Sequence, residues 1–232
     1  MSTLLGVYGH PDDETYLMAG IAVEAVRRGD RVVLVTATRG EEGSWDEEHF
    51  PTARMGEIRQ KELEDSLEIL GLREHHWLDY YDGTCAEQNL FEAEGKVRAI
   101  MEEVQPDQVF TFGPDGATNH PDHKAVSAWT TVSFAAVAPK GATLYYAAMP
   151  QEWIEKYVPL LNQFNVFPPG FPIPTPDEDI AIRLDLEGDV WALKNKAIAA
   201  HVSQTKFMID TFGNELHDAM MQTEAFKVGA RK

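Results

Sequence analysis

This sequence of 232 residues has only one cysteine and no glycine-rich phosphate-binding loop. Cys85 is the single cysteine, which excludes an internal disulfide bond and a cysteine-rich metal site. The first apolar segment is followed by His10-Pro11 where a dinucleotide-binding Gly-x-Gly-x-x-Gly loop would need further glycines. The sequence therefore argues against dinucleotide binding.

Basic residues and long apolar runs are also scarce. Twenty Lys and Arg stand against 38 Asp and Glu, giving a formal net charge of −18. Such a surface repels phosphate backbones and anionic lipids, so we expect neither a nucleic-acid nor a membrane partner. The longest apolar stretch, residues 125–138, contains serines and threonines and is too short to span a bilayer. Since the N-terminus also lacks a signal-peptide pattern, we expect a cytoplasmic protein.

Short apolar segments alternate with helical patterns along most of the chain. Strands are predicted at residues 4–8, 31–37, 75–78, 108–112, 143–148 and 180–184, and helices at 11–28, 54–70, 92–104, 123–137 and 190–201. Near-continuous apolar strands indicate a mostly parallel sheet with helices on both faces. We therefore expect one domain over residues 1–232 with a Rossmann-like α/β fold. The proline-rich residues 168–176 are expected to form a surface loop.

Two segments rich in metal-ligand side chains follow predicted strands. Residues 9–14, Gly-His-Pro-Asp-Asp-Glu, come directly after the first strand, and residues 119–123, Asn-His-Pro-Asp-His, come shortly after the strand at 108–112. Parallel strands place their carboxyl ends at one edge of the sheet, so both segments are expected there. Either segment alone would also suit the start of a helix. Together they predict a metal site.

The residue types in these segments match a catalytic zinc site. Such a site uses three protein ligands of the imidazole or carboxylate kind and leaves a position for water. Two histidines and one aspartate satisfy it, because Pro11 stiffens the first turn so that His10 and Asp13 converge. Asp12 is then a spare carboxylate beside an activated water, which is the position of a general base.

The paired segments resemble the LmbE/PIG-L family of zinc-dependent N-acetylglucosaminyl deacetylases. Weaker similarities support the resemblance: Thr-Arg-Gly-Glu-Glu-Gly at 38–43, the Arg59-x-x-Glu-Leu helix, Asp-Gly at 82–83 and His-x-Ser-Gln at 201–204. The resemblance implies a single deacetylase domain that hydrolyses the acetamide of a small soluble amino-sugar conjugate or oligosaccharide. It leaves homo-oligomer formation and the identity of the aglycone open.

The resemblance also implies a role for each site residue. His10, Asp13 and His123 would bind zinc, with ferrous iron as the alternative ion. Asp12 would be the general base, and His120 would stabilise the oxyanion or protonate the amine, with Asp122 orienting its imidazole. Candidates for holding the substrate are Arg59 and Asp82. One departure is Thr118, which stands where some members have a tyrosine near the oxyanion.

Two other activities stay open at this point. An amidase acting on a glucosaminyl thiol conjugate would use the same metal ligands. A ferrous oxygenase also uses two histidines and one carboxylate. The oxygenase would leave Asp12 and His120 without a purpose, so the residues favour a hydrolase.

Overall fold

The computed structural model of the chain describes residues 1–164 and 166–232. Its strands are β1 Thr3–Tyr8, β2 Arg31–Thr38, β3 Glu74–Tyr80, β4 Gln108–Thr111, β5 Thr143–Ala147, β6 Ile180–Asp185 and β7 Thr223–Arg231. Its helices are α1 Asp13–Arg27, α2 Met55–Leu70, α3 Leu90–Val104, α4 Gly116–Asn119, α5 Pro121–Val137, α6 Gln151–Leu161, α7 Gly188–Ala200, α8 Val202–Phe212 and α9 Asn214–Met221.

The strands form one mixed sheet in the order β3-β2-β1-β4-β5-β7-β6. The first five pair in parallel, whereas β7 runs antiparallel to both β5 and β6. β1, β2 and β4 are almost wholly buried because helices cover both faces of the sheet. Helices α1, α2 and α7 pack together, while α3 packs against α5. The predicted α/β fold with a mostly parallel sheet is confirmed.

The predicted helices and strands differ from the observed ones by a few residues at their ends, and several observed elements toward the C-terminus were not predicted. α1 begins at Asp13 rather than at Pro11, and α5 begins at Pro121, two residues before the predicted start. Helices α6, α8 and α9 and strand β7 had no predicted counterpart. β7 inserts between β5 and β6, so the strand expected at residues 180–184 lies at the edge of the sheet. No helix in the described residues is long and apolar enough to cross a membrane.

The point between β1 and β4 fixes the position of the site. β2 and β3 lie on one side of β1, and β4 and β5 lie on the other. The direction in which successive strands are added to the sheet therefore reverses between β1 and β4. In parallel α/β sheets ligands bind at such a switch point, outside the carboxyl ends of the strands. The two histidine segments follow β1 and β4, and the fold therefore brings them face to face.

Candidate active site

The turn between β1 and α1 carries the first set of side chains in a constrained backbone. Asp12 adopts φ 112° and ψ −32°, a conformation that residues other than glycine rarely adopt. The backbone N–H groups of Gly9 and His10 donate to Asp13 Oδ2 at 3.1 and 2.8 Å. These bonds hold the turn so that His10 and Asp13 lie on its inner side.

The two ring nitrogens of His10 have different surroundings. Nε2 lies 2.9 Å from Asp82 Oδ1 and 3.3 Å from Asp122 Oδ2, so this nitrogen carries the proton and donates it to carboxylates. Burial lowers the pKa of His10, but its contacts with Asp122, Asp13 and Asp82 raise the pKa well above its usual range, so Nδ1 carries a proton as well. Nδ1 faces His123 Nε2 at 3.1 Å and donates to it. A metal ion that replaced this proton would be bound by Nδ1.

A hydrogen bond from one ring nitrogen also orients His123, which lies on the opposite loop. Its Nδ1 lies 3.0 Å from the carbonyl oxygen of Gly116 and donates to it, which leaves the Nε2 lone pair facing His10. The ring stacks on Phe112 with centroids 3.9 Å apart and planes 4° from parallel. Burial lowers the pKa of His123 to about 4, so the imidazole is neutral, the form that binds metals.

Asp13 lies close to both of these histidine nitrogens and is the third candidate ligand. Its Oδ1 lies 3.4 Å from His123 Nε2, and its Oδ2 lies 3.5 Å from His10 Nδ1. Although burial raises the pKa of Asp13, the neighbouring His123 and His10 hold it well below its usual range, so the carboxylate is ionised.

The arrangement of these three side chains fits a bound cation. His10 Nδ1 and His123 Nε2, 3.1 Å apart, share either a proton or a metal ion, because two bare lone pairs at this distance would repel each other. Tetrahedral zinc with bonds of about 2.0–2.1 Å places its ligands about 3.3 Å apart. The separations of 3.1 to 3.5 Å between His10, Asp13 and His123 are close to that value, with the two Asp13 distances measured to its two different carboxylate oxygens. The nitrogens of His120 also fall within 4.8 Å of those of His10 and His123.

The carboxylate of Asp12 lies against the guanidinium of Arg59. Its Oδ2 lies 3.2 Å from an Arg59 guanidinium nitrogen. Burial raises the pKa of Asp12 to about 7, although Arg59 opposes the rise. A carboxylate with a pKa near neutrality, at the wall of a cavity, has the properties of a general base.

Arg59 is only 4% exposed and contacts the turn that carries Asp12. One guanidinium nitrogen donates to the carbonyl oxygen of Pro11 at 2.6 Å, and another donates to that of Gly40 at 3.3 Å. A Cβ on Gly40 would lie 2.1 Å from the guanidinium, so this position needs glycine. Arg59 thus holds Asp12 and its loop. These contacts bury the Arg59 guanidinium, so it is not exposed where a substrate group would bind.

Asp122 is placed differently from the sequence expectation. Its carboxylate contacts His10 Nε2 and accepts the backbone N–H groups of Gly83 and Cys85 at 2.7 and 3.0 Å. It does not hold the His120 imidazole, whose Nδ1 instead accepts the backbone N–H of Asp122 at 3.2 Å. The reason is helix geometry: His120 is the N-cap residue of α5, so Asp122 lies in its first turn and points toward the 83–85 loop.

The N-cap role sets the protonation of His120. Because Nδ1 accepts a hydrogen bond, the proton of the neutral ring is on Nε2, the tautomer that can donate to a substrate atom. Its ring lies 4.8 Å from that of His10 and 4.9 Å from that of His123.

Asp82 was also expected to hold the substrate, and the structure places it against His10 instead. Its carboxylate accepts the His10 proton and also the backbone N–H of Glu42 at 3.1 Å. Burial raises its pKa, but His10 more than offsets this effect and the pKa of Asp82 falls to about 2. A carboxylate behind a histidine ligand fixes the tautomer and the ring orientation.

A cavity of about 310 Å³ opens directly beside the ligands and was not expected from the sequence. Its lining includes Asp12, Asp13 and His123 together with residues of α1, α4, α6, α8, α9 and β7 and of the segments 148–150 and 166–167. The sequence signal was slight, since four of the chain's eight methionines lie in this wall, three of them near the C-terminus: Met149, Met208, Met220 and Met221.

The α/β fold and these side chains define a hydrolytic site with a candidate metal centre. The family model described as PIG-L, GlcNAc-PI de-N-acetylase, matches residues 5–134, which include both histidine segments. The chain belongs to this family, and it is a hydrolase of the deacetylase kind.

Similar proteins agree with this placement. The chain is 29% identical to a 1D-myo-inositol 2-acetamido-2-deoxy-alpha-D-glucopyranoside deacetylase from Thermobifida fusca, covering 92% of this chain and 89% of the relative. It is 32% identical to the protein of the same name from Mycolicibacterium smegmatis, covering 87% and 79%. The N,N'-diacetylchitobiose deacetylase structure from Pyrococcus horikoshii superposes with a TM-score of 0.65 at 24% identity, covering 98% and 83%. The structural match supports the fold.

Proposed function

We propose that this chain is a zinc-dependent N-deacetylase that removes the acetyl group from a small soluble conjugate or oligosaccharide of N-acetylglucosamine. The observation that carries the proposal is the convergence of two imidazole nitrogens and an ionised carboxylate beside an open cavity. The names of the inositol-glucosamine relatives support the amino-sugar substrate.

Each residue has a chemical task in the proposal. His10, Asp13 and His123 hold the metal, with Asp82 and Asp122 orienting His10 from behind. When bound, zinc acidifies a water molecule and polarises a carbonyl oxygen.

Proton transfer falls to the two remaining side chains of the motifs. Asp12 accepts a proton from the attacking water while Arg59 holds the carboxylate in place. His120 Nε2–H donates to the developing oxyanion or to the departing nitrogen. Water adds to the acyl carbon, the C–N bond breaks, and a carboxylic acid and a free amine are released.

The test combines metal analysis with product release. Purified chain is expected to contain about one zinc, or a replaceable ferrous ion, for each three-ligand site. Acetate release is measured on N-acetylated glucosamine carrying inositol, malate, a second sugar or a lipid. The Asp12→Asn variant should lose about 10²–10⁴-fold in kcat, which is the usual contribution of a general base. Asp177→Asn, at an exposed position, is the matched control.

Other outcomes would redirect the proposal. Undiminished acetate release by Asp12→Asn would show that Asp12 is not the general base. Release of amine only from a glucosaminyl thiol conjugate would assign the amidase activity. Oxygen consumption with ferrous iron, without acyl release, would assign the oxygenase.

A further inference from the structure

The cavity beside the ligands has an apolar wall. Its lining includes the thioethers of Met149, Met208, Met220 and Met221 and the aromatic rings of Trp153 and Phe167. The Trp153 indole N–H donates to the carbonyl oxygen of Met220 at 2.8 Å, so the polar edge of this ring is already used. Thioethers and aromatic rings bind apolar groups of variable shape.

Glu224 is a further charged residue of this wall, and its contacts neutralise it. Glu224 accepts the Lys194 ammonium at 2.8 Å and the backbone N–H groups of Gly20 and Ile21 at 2.8 and 3.1 Å. Its carboxylate is thus engaged by the protein. Most other polar side chains of the lining are engaged as well: Thr118 contacts His123, Gln204 donates to the carbonyl oxygen of Gly43, and Thr223 donates to Asp185. A sugar or inositol ring, which needs several free hydrogen-bonding partners, is poorly matched to such a wall.

The volume exceeds what an acetyl group needs. A cavity of about 150 Å³ holds benzene, and one water molecule takes about 30 Å³ of liquid. The cavity here is about 310 Å³, twice the first of these values. A single methyl group would leave most of it empty.

The position of the acid and the base decides which side of the substrate enters. Asp12, the proposed base, lies in the cavity wall together with Asp13 and His123. Among the described residues His120, the proposed acid, is not part of that wall, and its ring centroid lies 4.8 Å from that of His10 and 4.9 Å from that of His123. Because the acid must face the departing nitrogen, the amino sugar extends toward His120. The acyl group then extends into the cavity.

We propose that the cavity is an acyl-chain site and that the natural substrate carries an N-acyl group longer than acetyl, of about six carbons. The assignment rests on the proposed deacylase function, because the roles of Asp12 and His120 set the direction of the substrate. The sugar and its aglycone stay on the open side of the metal centre.

The first experiment measures kcat/KM of the zinc-loaded enzyme for N-acetyl-, N-butanoyl- and N-hexanoylglucosamine by release of the free amine. Each methylene that enters the cavity should raise kcat/KM roughly fourfold, since this is the usual gain on burying one. The hexyl glycoside of N-acetylglucosamine serves as a positional control, because it carries a six-carbon apolar chain on the sugar side. It should gain nothing.

The second experiment narrows the cavity. Ala148 is a small residue in the wall, and Ala148→Leu should lower the ratio of hexanoyl to acetyl kcat/KM at least tenfold. Met208→Trp, at a half-buried position on α8, should act in the same direction if the strand-end variant folds poorly. Ala136→Leu, on the exposed side of α5, is the matched control and should leave the ratio unchanged.

The outcomes separate the two levels of the argument. A rising acyl series that is lost in Ala148→Leu or Met208→Trp supports the acyl-chain site. Hydrolysis of the acetyl substrate without gain from chain length, or a gain only in the hexyl glycoside, overturns it and leaves the deacetylase proposal standing. Failure to hydrolyse any N-acylglucosamine refutes the proposed function, and the acyl-chain site with it.

Discussion

The buried ion pair between Lys194 on α7 and Glu224 on β7 joins three elements behind the acyl-chain site. Both side chains are fully buried, and Lys194 Nζ lies 2.8 Å from Glu224 Oε1. Lys194 also donates to the carbonyl oxygen of Tyr16 at 2.7 Å, while Glu224 accepts the N–H of Gly20. A regular helix would join these two backbone groups of α1 to each other. The pair is thus inserted beside the helix backbone.

Replacing one partner should therefore be costly. Lys194→Met keeps the length of the side chain but removes the ammonium, leaving the carboxylate of Glu224 buried without its cation. Breaking a buried pair in this way costs about 3–5 kcal/mol. Since a domain is stabilised by only about 5–15 kcal/mol, the variant should lose a large share of its free energy of unfolding.

Urea unfolding followed by fluorescence measures the effect. Lys206→Met is the matched control, because this lysine is exposed on α8 and pairs with exposed Asp210. The double variant Lys194→Met/Glu224→Gln, which removes both charges, should recover at least about 1 kcal/mol of the loss, since the uncompensated charge is gone. A loss below about 1 kcal/mol in Lys194→Met, or no recovery in the double variant, would refute the reasoning.

Two further predictions concern the metal and the pH dependence of stability. Asp82→Asn should weaken zinc binding about 10–100-fold in chelator competition, because the carboxylate behind His10 is lost; unchanged affinity would deny Asp82 this role. Burial lowers the pKa of His75 to about 4, so the folded state binds fewer protons than the unfolded state between about pH 6.5 and 4. Stability should fall as the pH falls through this window, and His75→Gln should flatten the curve while exposed His49→Gln should not.

The candidate metal ligands can be predicted from the sequence because they are local. His10 and Asp13 share one turn after β1, and His123 follows β4 by a short connection. Parallel strand order alone then places both segments at one edge of the sheet.

The residues behind the ligands could not be assigned in this way. Asp122 was expected beside His120, its neighbour in sequence, yet its carboxylate contacts His10 across the sheet edge. Arg59 and Asp82 were expected to hold the substrate, and the structure uses them to hold Asp12 and His10. Polar residues that follow a strand are visible in the sequence, whereas the atom that each one contacts depends on the packing of separate loops.

By itself, then, the sequence determined the alternation of strands and helices and the chemical identity of the site, since periodicity and short-range spacing are local properties. Only the tertiary structure decided what surrounds that site. β7 inserts between β5 and β6, and α6, α8 and α9 pack a second apolar cluster around Tyr157 and Met220. Contacts between residues so far apart in the chain leave no periodic signal, and they form the apolar cavity beside the metal ligands.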